Sequence, residues 1–200
     1  MKYENLPFPI GTTYTDGGTV VSTDGANLEG KEFEIEDLDY SATGVPPQRS
    51  NLYKRVRVVR NTSGIALLPK RLGSLKAGTP GQVDGYGTTT AQGQCFPIDE
   101  FLAAAGVPNN DLFYITVAGY ATVLTDLGGA ANNVISVDNW IIALTAATSQ
   151  ATTAGRAQSQ MLTGATALLG DQVQHRIGRA LSAKTTANTD ASLLINVTRF

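Results

Sequence analysis

Asp111-Leu112-Phe113-Tyr114-Ile115-Thr116-Val117-Ala118-Gly119-Tyr120-Ala121-Thr122-Val123-Leu124-Thr125 is the stretch that decides the fold. Its two halves, Leu112 to Val117 and Tyr120 to Leu124, are built from aromatic, β-branched and aliphatic side chains. Aromatic and β-branched residues pack well on a pleated surface and lose rotamer freedom in a helix. Gly119, between the halves, has no side chain to pack and marks a bend. The reading is one long β segment with a bend at its centre.

The pattern continues on both sides. Downstream, Val134-Ile135-Ser136-Val137 and Trp140-Ile141-Ile142-Ala143-Leu144 flank Asp138-Asn139, a hairpin-like pair or a bulge. Ser192 to Phe200 reads as a final strand. Upstream, Gly81 to Gly87 reads as a strand broken by glycines, and Ile65 to Leu68 as a short buried strand after the turn Asn61-Thr62-Ser63-Gly64. Tyr53 to Val59 alternates, with Arg55 and Arg57 on one face and Val56 and Val58 on the other. Glu32-Phe33-Glu34-Ile35-Glu36 alternates in the same way with acidic residues. These two strands carry opposite charge at one period. They either pair, across a sheet or a subunit interface, or stand as two separately solvated faces. One short helix is expected over Pro97 to Gly106, with Asp99 as N-cap, alanines propagating, Gly106 as the terminating residue and Pro108 beyond it. Residues 145–170 show no clear period. Met161, Leu162, Ala165, Leu168 and Leu169 fit a helix there, and a surface excursion fits equally. Residues 172–183 fit either a helix, through Val173, Ile177 and Leu181, or a strand over Ile177 to Leu181.

Composition agrees with a mainly β chain. Hydrophobic residues make up 42% of the 200 positions, enough for a core, while charged residues are 16%, against roughly 25% in an average soluble domain. Thr, Ser, Asn, Gln and Gly must therefore cover the surface, and a Thr- and Gly-rich chain suits short strands joined by turns. Residues 1–52 stand apart from 53–200. Leu6, Phe8, Ile10 and Tyr14 are scattered singly among the turn formers Pro7, Pro9 and Gly11, with Asp16-Gly17-Gly18 and Asp24-Gly25 following. This fits either a poorly ordered tail or, as favoured here, an extended N-terminal arm, with the single apolar residues as anchors for pockets on a partner and the Glu32/Glu34/Glu36 and Arg55/Arg57 faces as further contact residues. Residues 53–200 would form the β-rich body, with Pro46-Pro47 as a stiff connector.

The net charge of −2 and the lack of a long basic run argue against nucleic-acid binding. The start, MKYENLPFPIG, holds no apolar core of signal-peptide length. No run approaches the ~18 apolar residues of a membrane span, so a soluble protein made in a cytoplasm is expected. The one cysteine, Cys95, excludes an intrachain disulfide, and beside Phe96 it reads as a small buried apolar residue. With one histidine, His175, two-histidine metal sites are excluded and only one Ser/His or Cys/His pairing is conceivable. Gly85-Tyr86-Gly87 lacks the spacing of a phosphate loop. Glu32, Glu34, Glu36, Asp37 and Asp39 are a carboxylate cluster of the type that binds Ca²⁺, but the EF-hand pattern is absent. Asn61-Thr62-Ser63 and Asn196-Val197-Thr198 match the glycosylation pattern by chance on this reading. No catalytic, cofactor-binding or metal site is assigned, so no cofactor is expected and the chain is read as a non-enzyme; a small carboxylate-dependent hydrolase is the least favoured alternative.

The C-terminal half resembles the head decoration (cement) proteins of tailed bacteriophages. The resemblance covers roughly residues 110–200. It rests on Val137-Asp138-Asn139-Trp140-Ile141-Ile142-Ala143, on Thr153-Ala154-Gly155-Arg156, and on Arg176-Ile177-Gly178-Arg179-Ala180-Leu181-Ser182-Ala183 followed by Leu193-Leu194-Ile195-Asn196-Val197. The N-terminal half departs from the shorter members. The resemblance implies a compact β-barrel or β-sandwich, often a homotrimer, seated on the outer surface of the capsid in contact with the major capsid protein. It also implies that Arg176 to Leu181 is a strand. A tail- or fibre-associated β protein is the alternative virion reading, though neither repeats nor heptads are present. A cement protein needs many weak contacts that gain strength by multivalency, not a catalytic cleft.

Overall fold

The computed structural model describes residues 6–15, 28–39, 48–87, 95–125, 135–143, 155–159, 176–184 and 192–198. Among these the chain is mainly β. The strands are β1 (Glu32–Asp39), β2 (Gln48–Asn61), β3 (Leu72–Lys76), β4 (Thr79–Tyr86), β5 (Cys95–Pro97), β6 (Leu112–Leu124), β7 (Trp140–Ala143), β8 (Ala157–Ser159), β9 (Arg176–Ala180) and β10 (Ser192–Val197). They form one sheet in the order β5-β3-β4-β2-β6-β10-β9-β7-β8, with β1 paired to β2 beside that path. The sheet is not closed among the described residues. The barrel or sandwich implied by the resemblance thus stands at its coarser level, a mainly β fold.

The bent segment is the spine. Leu112 to Ala118 of β6 pairs with β2, and Gly119 to Leu124 pairs with β10. The hand-over falls at Gly119, whose φ is +93°. A Cβ there would stand 2.7 Å from the Tyr53 carbonyl oxygen and 2.8 Å from Lys54 Cα, so only glycine lets β6 cross β2 this closely. The register shift opposite Arg55 and Val56 adds the local bend of a bulge.

Far ends of the strand path meet at Gly155 and Arg156. The Leu72 amide donates to the Gly155 carbonyl at 2.7 Å, and buried Arg156 donates through Nη1 to the Thr125 carbonyl at 2.7 Å. Gly155 has φ +72°, and a Cβ on it would lie 3.0 Å from the Leu72 carbonyl oxygen. The first contact draws β3 to the entry of β8 without a ladder between them, and the second ties that entry to the end of β6. Leu72 accordingly packs in one apolar cluster with Val123, Ile141, Ile177, Leu193 and Ile195. A second cluster, with Val59, Leu67, Val83, Phe113 and Ile115, fills the face of β2 and β6 toward β3–β5. On the other face of β2 and β6 lie Val56, Val58, Leu112 and Tyr114, covered by Phe8 with Leu6, Ile10, Phe33 and Ile35 against them.

Asn61 fixes the turn after β2. It is fully buried, and its Nδ2 donates to the carbonyls of Ile65, Val107 and Pro108 at 2.7, 2.9 and 3.1 Å. Its Oδ1 accepts from the Ser63 amide and hydroxyl. The Asn61-Thr62-Ser63 pattern is thus a structural turn.

Several expectations are corrected. The short helix over Pro97 to Gly106 is absent: the segment is a run of turns. Asp99 does act as a local cap, accepting the Phe101 amide at 3.1 Å, and Gly106 does take a positive φ. But Ile98 and Asp99 are held to the sheet, by a bridge to Ile115 and by the Asp99 amide on the Tyr114 carbonyl. What remains is too short to repay helix nucleation, and of its side chains from Phe101 to Ala105 only Leu102 is buried. Ile65 to Leu68 makes one isolated bridge, Leu67 to Val107, instead of a strand. Asp138-Asn139 does not turn a hairpin between its flanks: β7 pairs with β9 and β8, and Ile135 bridges to Lys184. The division expected at residue 52 falls inside β2, because β1 pairs along the strand from Gln48 to Arg57. The strand implied over Arg176 to Leu181 is present as β9 (Arg176–Ala180), whereas β3, β5 and β8 were not anticipated. His175 and the helix alternative over Met161 to Leu169 lie outside the described residues.

Candidate functional site

The nine residues singled out as contacts fall into two groups, and both are used inside this chain. In the arm, Phe8 is 7% exposed. Its ring stacks on Tyr114 at 4.4 Å and on Tyr14 at 6.0 Å between centroids. The Tyr114 hydroxyl donates to the Phe8 carbonyl at 2.8 Å. The Gly11 amide donates to Asp99 Oδ2 at 2.7 Å, and Tyr14 exchanges both backbone hydrogen bonds with Leu112 at 3.0 Å. Leu6 and Ile10 pack partly buried against the same cluster. Tyr14 alone of the four anchors keeps an open face, at 36% exposure.

In the second group, the two alternating strands do pair. β1 runs antiparallel to β2 with Glu32 opposite Arg57 and Glu34 opposite Arg55. Arg57 donates to Glu32 Oε1 through Nε at 3.1 Å and Nη2 at 2.5 Å. Arg55 reaches Glu32 and Glu34 at 3.9 Å each, and Glu36 stands opposite Tyr53. Of the carboxylates expected as a possible cation cluster, Glu32 and Glu34 thus face arginines, while Asp37 and Asp39 stand opposite Leu52 and Gln48, and among the described residues no group of three or more His, Cys, Asp and Glu is placed to hold a metal.

Under the arm lies a small cavity of about 10 Å³, room for a single water. Ile10, Lys54, Asp99, Glu100, Tyr114 and Thr116 line it. Lys54 is 5% exposed and Asp99 6%. Lys54 lies 3.8 Å from Glu100 and 5.2 Å from the Phe101 ring centroid. Burial raises the Asp99 carboxyl above its ordinary range, against the lowering effect of the Gly11 and Phe101 amides and of Lys54. Burial pushes the Tyr114 phenol up to about 12, and Asp99 adds to it. The cluster is chemistry spent on holding the arm. Sequence reasoning assigned Asp99 to a helix cap and read Tyr114 only as part of the long β segment, so neither was expected here. The Cys95 thiol is likewise pushed up to about 12 by burial and by Asp84, which makes it a poor nucleophile.

The second feature lies on the outer face of the β6–β10–β9–β7 half of the sheet. The register places Tyr120 opposite Asn196, Asn196 opposite Arg179, and Arg179 opposite Trp140. These four side chains form one row across four strands, facing away from the core residues Ala121, Ile195 and Val197. The guanidinium of Arg179 lies 4.4 Å from the Trp140 ring centroid and that of Arg176 4.5 Å. Both distances are within cation–π range. Arg179 is exposed, and Tyr120, Asn196 and Trp140 are half-buried. All but Tyr120 belong to the motif segments quoted above, which were read as strands and not as contact residues.

No family model and no curated protein matches the chain. Among the described residues no helix is long and apolar enough to cross a membrane.

Proposed function

We propose that this chain is a structural, non-catalytic virion protein: a decoration protein that binds the outer surface of a tailed-phage capsid as a homotrimer and stabilises the head. One observation carries the reading. The two motif segments of the resemblance, Arg176 to Ala183 and Leu193 to Val197, supply neighbouring antiparallel strands, β9 and β10, as a closing strand near the C-terminus requires. Their inward side chains build a core, and their outward Arg179 and Asn196 stand in one row with Trp140 of β7 and Tyr120 of β6, a composition suited to contact with another protein.

The test is to mix the purified protein with expanded, undecorated phage heads and measure co-pelleting, with light scattering to give its own oligomeric state. Saturation at a fixed number of copies per head, together with higher resistance of the decorated heads to heat, is the expected result. Absence of binding to any head would sink the capsid assignment and favour the tail-associated alternative.

A further inference from the structure

The row of Tyr120, Asn196, Arg179 and Trp140 has a composition and a shape that call for an occupant. Tyr, Trp and Arg are the residues that dominate binding energy at protein interfaces. Three strand spacings set the row at about 14 Å long across four paired strands, an extent that fits a protein surface better than a small molecule. Leu194, on the same face of β10, is 39% exposed, and Val137, ahead of β7, is 52% exposed. Single apolar residues thus stand near the polar row.

Charge chooses the partner. Two guanidinium groups lie on one indole, so the ring is already occupied by cations and is not a free platform for a sugar or a base. What the face presents outward is guanidinium, whose planar fork of N–H donors matches carboxylates. The described residues place only two arginines on this face, and the chain has no long basic run, so few phosphates of a nucleic-acid backbone would be neutralised here and protein carboxylates are the better match. We infer that the Trp140–Arg179–Asn196–Tyr120 face is a docking surface for a carboxylate-rich surface of a partner protein, with Arg179 as its central contact. This rests on the capsid reading for the partner's identity, the outer face of the shell, but not for its chemistry.

Two assays keep the claims separate. In the first, immobilised poly-L-glutamate is the probe, with single-stranded DNA as comparison. The wild type should bind poly-glutamate in low salt, lose it as salt is raised, and prefer it to DNA. Arg179→Glu should bind on the order of tenfold more weakly or worse, and Arg179→Lys should fall between, since it keeps the charge and loses the planar fork. Because Arg179 is exposed, the thermal unfolding midpoint should fall by no more than the few degrees that loss of its contact with Trp140 entails. In the second, Arg179→Glu is compared with the wild type on undecorated heads and should lose co-pelleting. Equal binding of the wild type and Arg179→Glu to poly-glutamate overturns the inference, whatever the heads do. Preference for DNA overturns it in favour of a nucleic-acid face. If the wild type binds poly-glutamate but no head, the docking chemistry stands and the capsid reading falls.

Discussion

Gly178 is the residue of the β9 motif whose replacement tests the fold most sharply. It sits opposite Val197 in the β9–β10 ladder. An added Cβ would collide with the Asn196 carbonyl oxygen, and would stand 2.8 Å from that carbonyl carbon and 3.0 Å from Val197 Cα. All three atoms are backbone, so no side chain can swing away. Restoring ordinary contact with the Asn196 carbonyl oxygen means parting β9 from β10 by more than about 1 Å, against close-packed neighbours. Inserting a carbon into such a site costs about 1–3 kcal/mol, and weakening the few cross-strand pairs of a short ladder adds roughly 0.2–1 kcal/mol each. Gly178→Ala should therefore destabilise by about 2–4 kcal/mol, read by urea unfolding, with a fall in Tm of about 2–4 °C per kcal/mol in a chain of this length. Gly64→Ala is the control. Its φ is +78°, but nothing lies within 4 Å of the added carbon, so it pays only the left-handed backbone penalty of about 1–2 kcal/mol. If Gly178→Ala proves no more costly than Gly64→Ala, the close approach of β9 to β10 is not what demands the glycine.

Phe8→Ala should cost about 3–5 kcal/mol and hasten proteolytic cleavage within residues 6–15, because the ring is buried between Tyr14 and Tyr114; unchanged protease resistance would show that the arm is held elsewhere. In double-mutant cycles by chemical denaturation, the Arg57–Glu32 pair, with side chains 9% and 24% exposed, should couple by about 2–3 kcal/mol. The Arg55–Glu34 pair, 43% and 61% exposed, should couple by less than about 1 kcal/mol, and equal values would refute the ranking by burial. Asp99 sets a pH dependence: its folded pKa is raised above 3.8, so the folded state keeps a proton that the unfolded chain has released. Its contribution is full below that value and is lost as pH rises through the folded pKa. The stability of the wild type relative to Asp99→Asn, followed by urea unfolding from acid to neutral pH, should decline over that window; a rise would reverse the assignment.

The sequence was most legible where period and chemistry coincided. Glu32-Phe33-Glu34-Ile35-Glu36 and Arg55-Val56-Arg57 announced two strands of opposite charge, and the structure sets them side by side because one register satisfies the charges on one face and packs half-buried Phe33 and Ile35 against buried Val56 and Val58 on the other. Gly119 announced the bend in the spine. The short strands β3, β5 and β8 carried no such signal. Leu72-Gly73-Ser74-Leu75-Lys76 has no clean alternation, since four of its five residues are buried between β4 and β5. The helix over Asp99 to Gly106 carried a false signal: the N-cap, the alanines and the terminal glycine are all present, but the cap carboxylate also serves the Gly11 amide, 88 residues away in sequence, a tertiary demand that local propensity does not contain.

That same contact changes how the arm can be used as evidence. Scattered apolar residues among prolines and glycines look alike whether their pockets lie on a partner or on the chain itself, because composition records the anchors and not the location of the sockets. Here Phe8 is socketed at home: its carbonyl is held by Tyr114, Gly11 by Asp99, and Tyr14 by a two-bond bridge to Leu112. Deleting the arm would uncover Val56, Val58, Leu112 and Tyr114 as well as removing any contact with a partner, so loss of head binding by such a truncation would report on folding and attachment together. Substitution of exposed residues separates the two. Tyr14, which keeps an open side while its backbone holds the bridge, can be changed to Ser with its hydrogen bonds intact, and Arg179 can be reversed in charge without touching the core. If attachment runs through the cationic face, Arg179→Glu abolishes co-pelleting while Tyr14→Ser retains it; if it runs through the arm, the order is reversed.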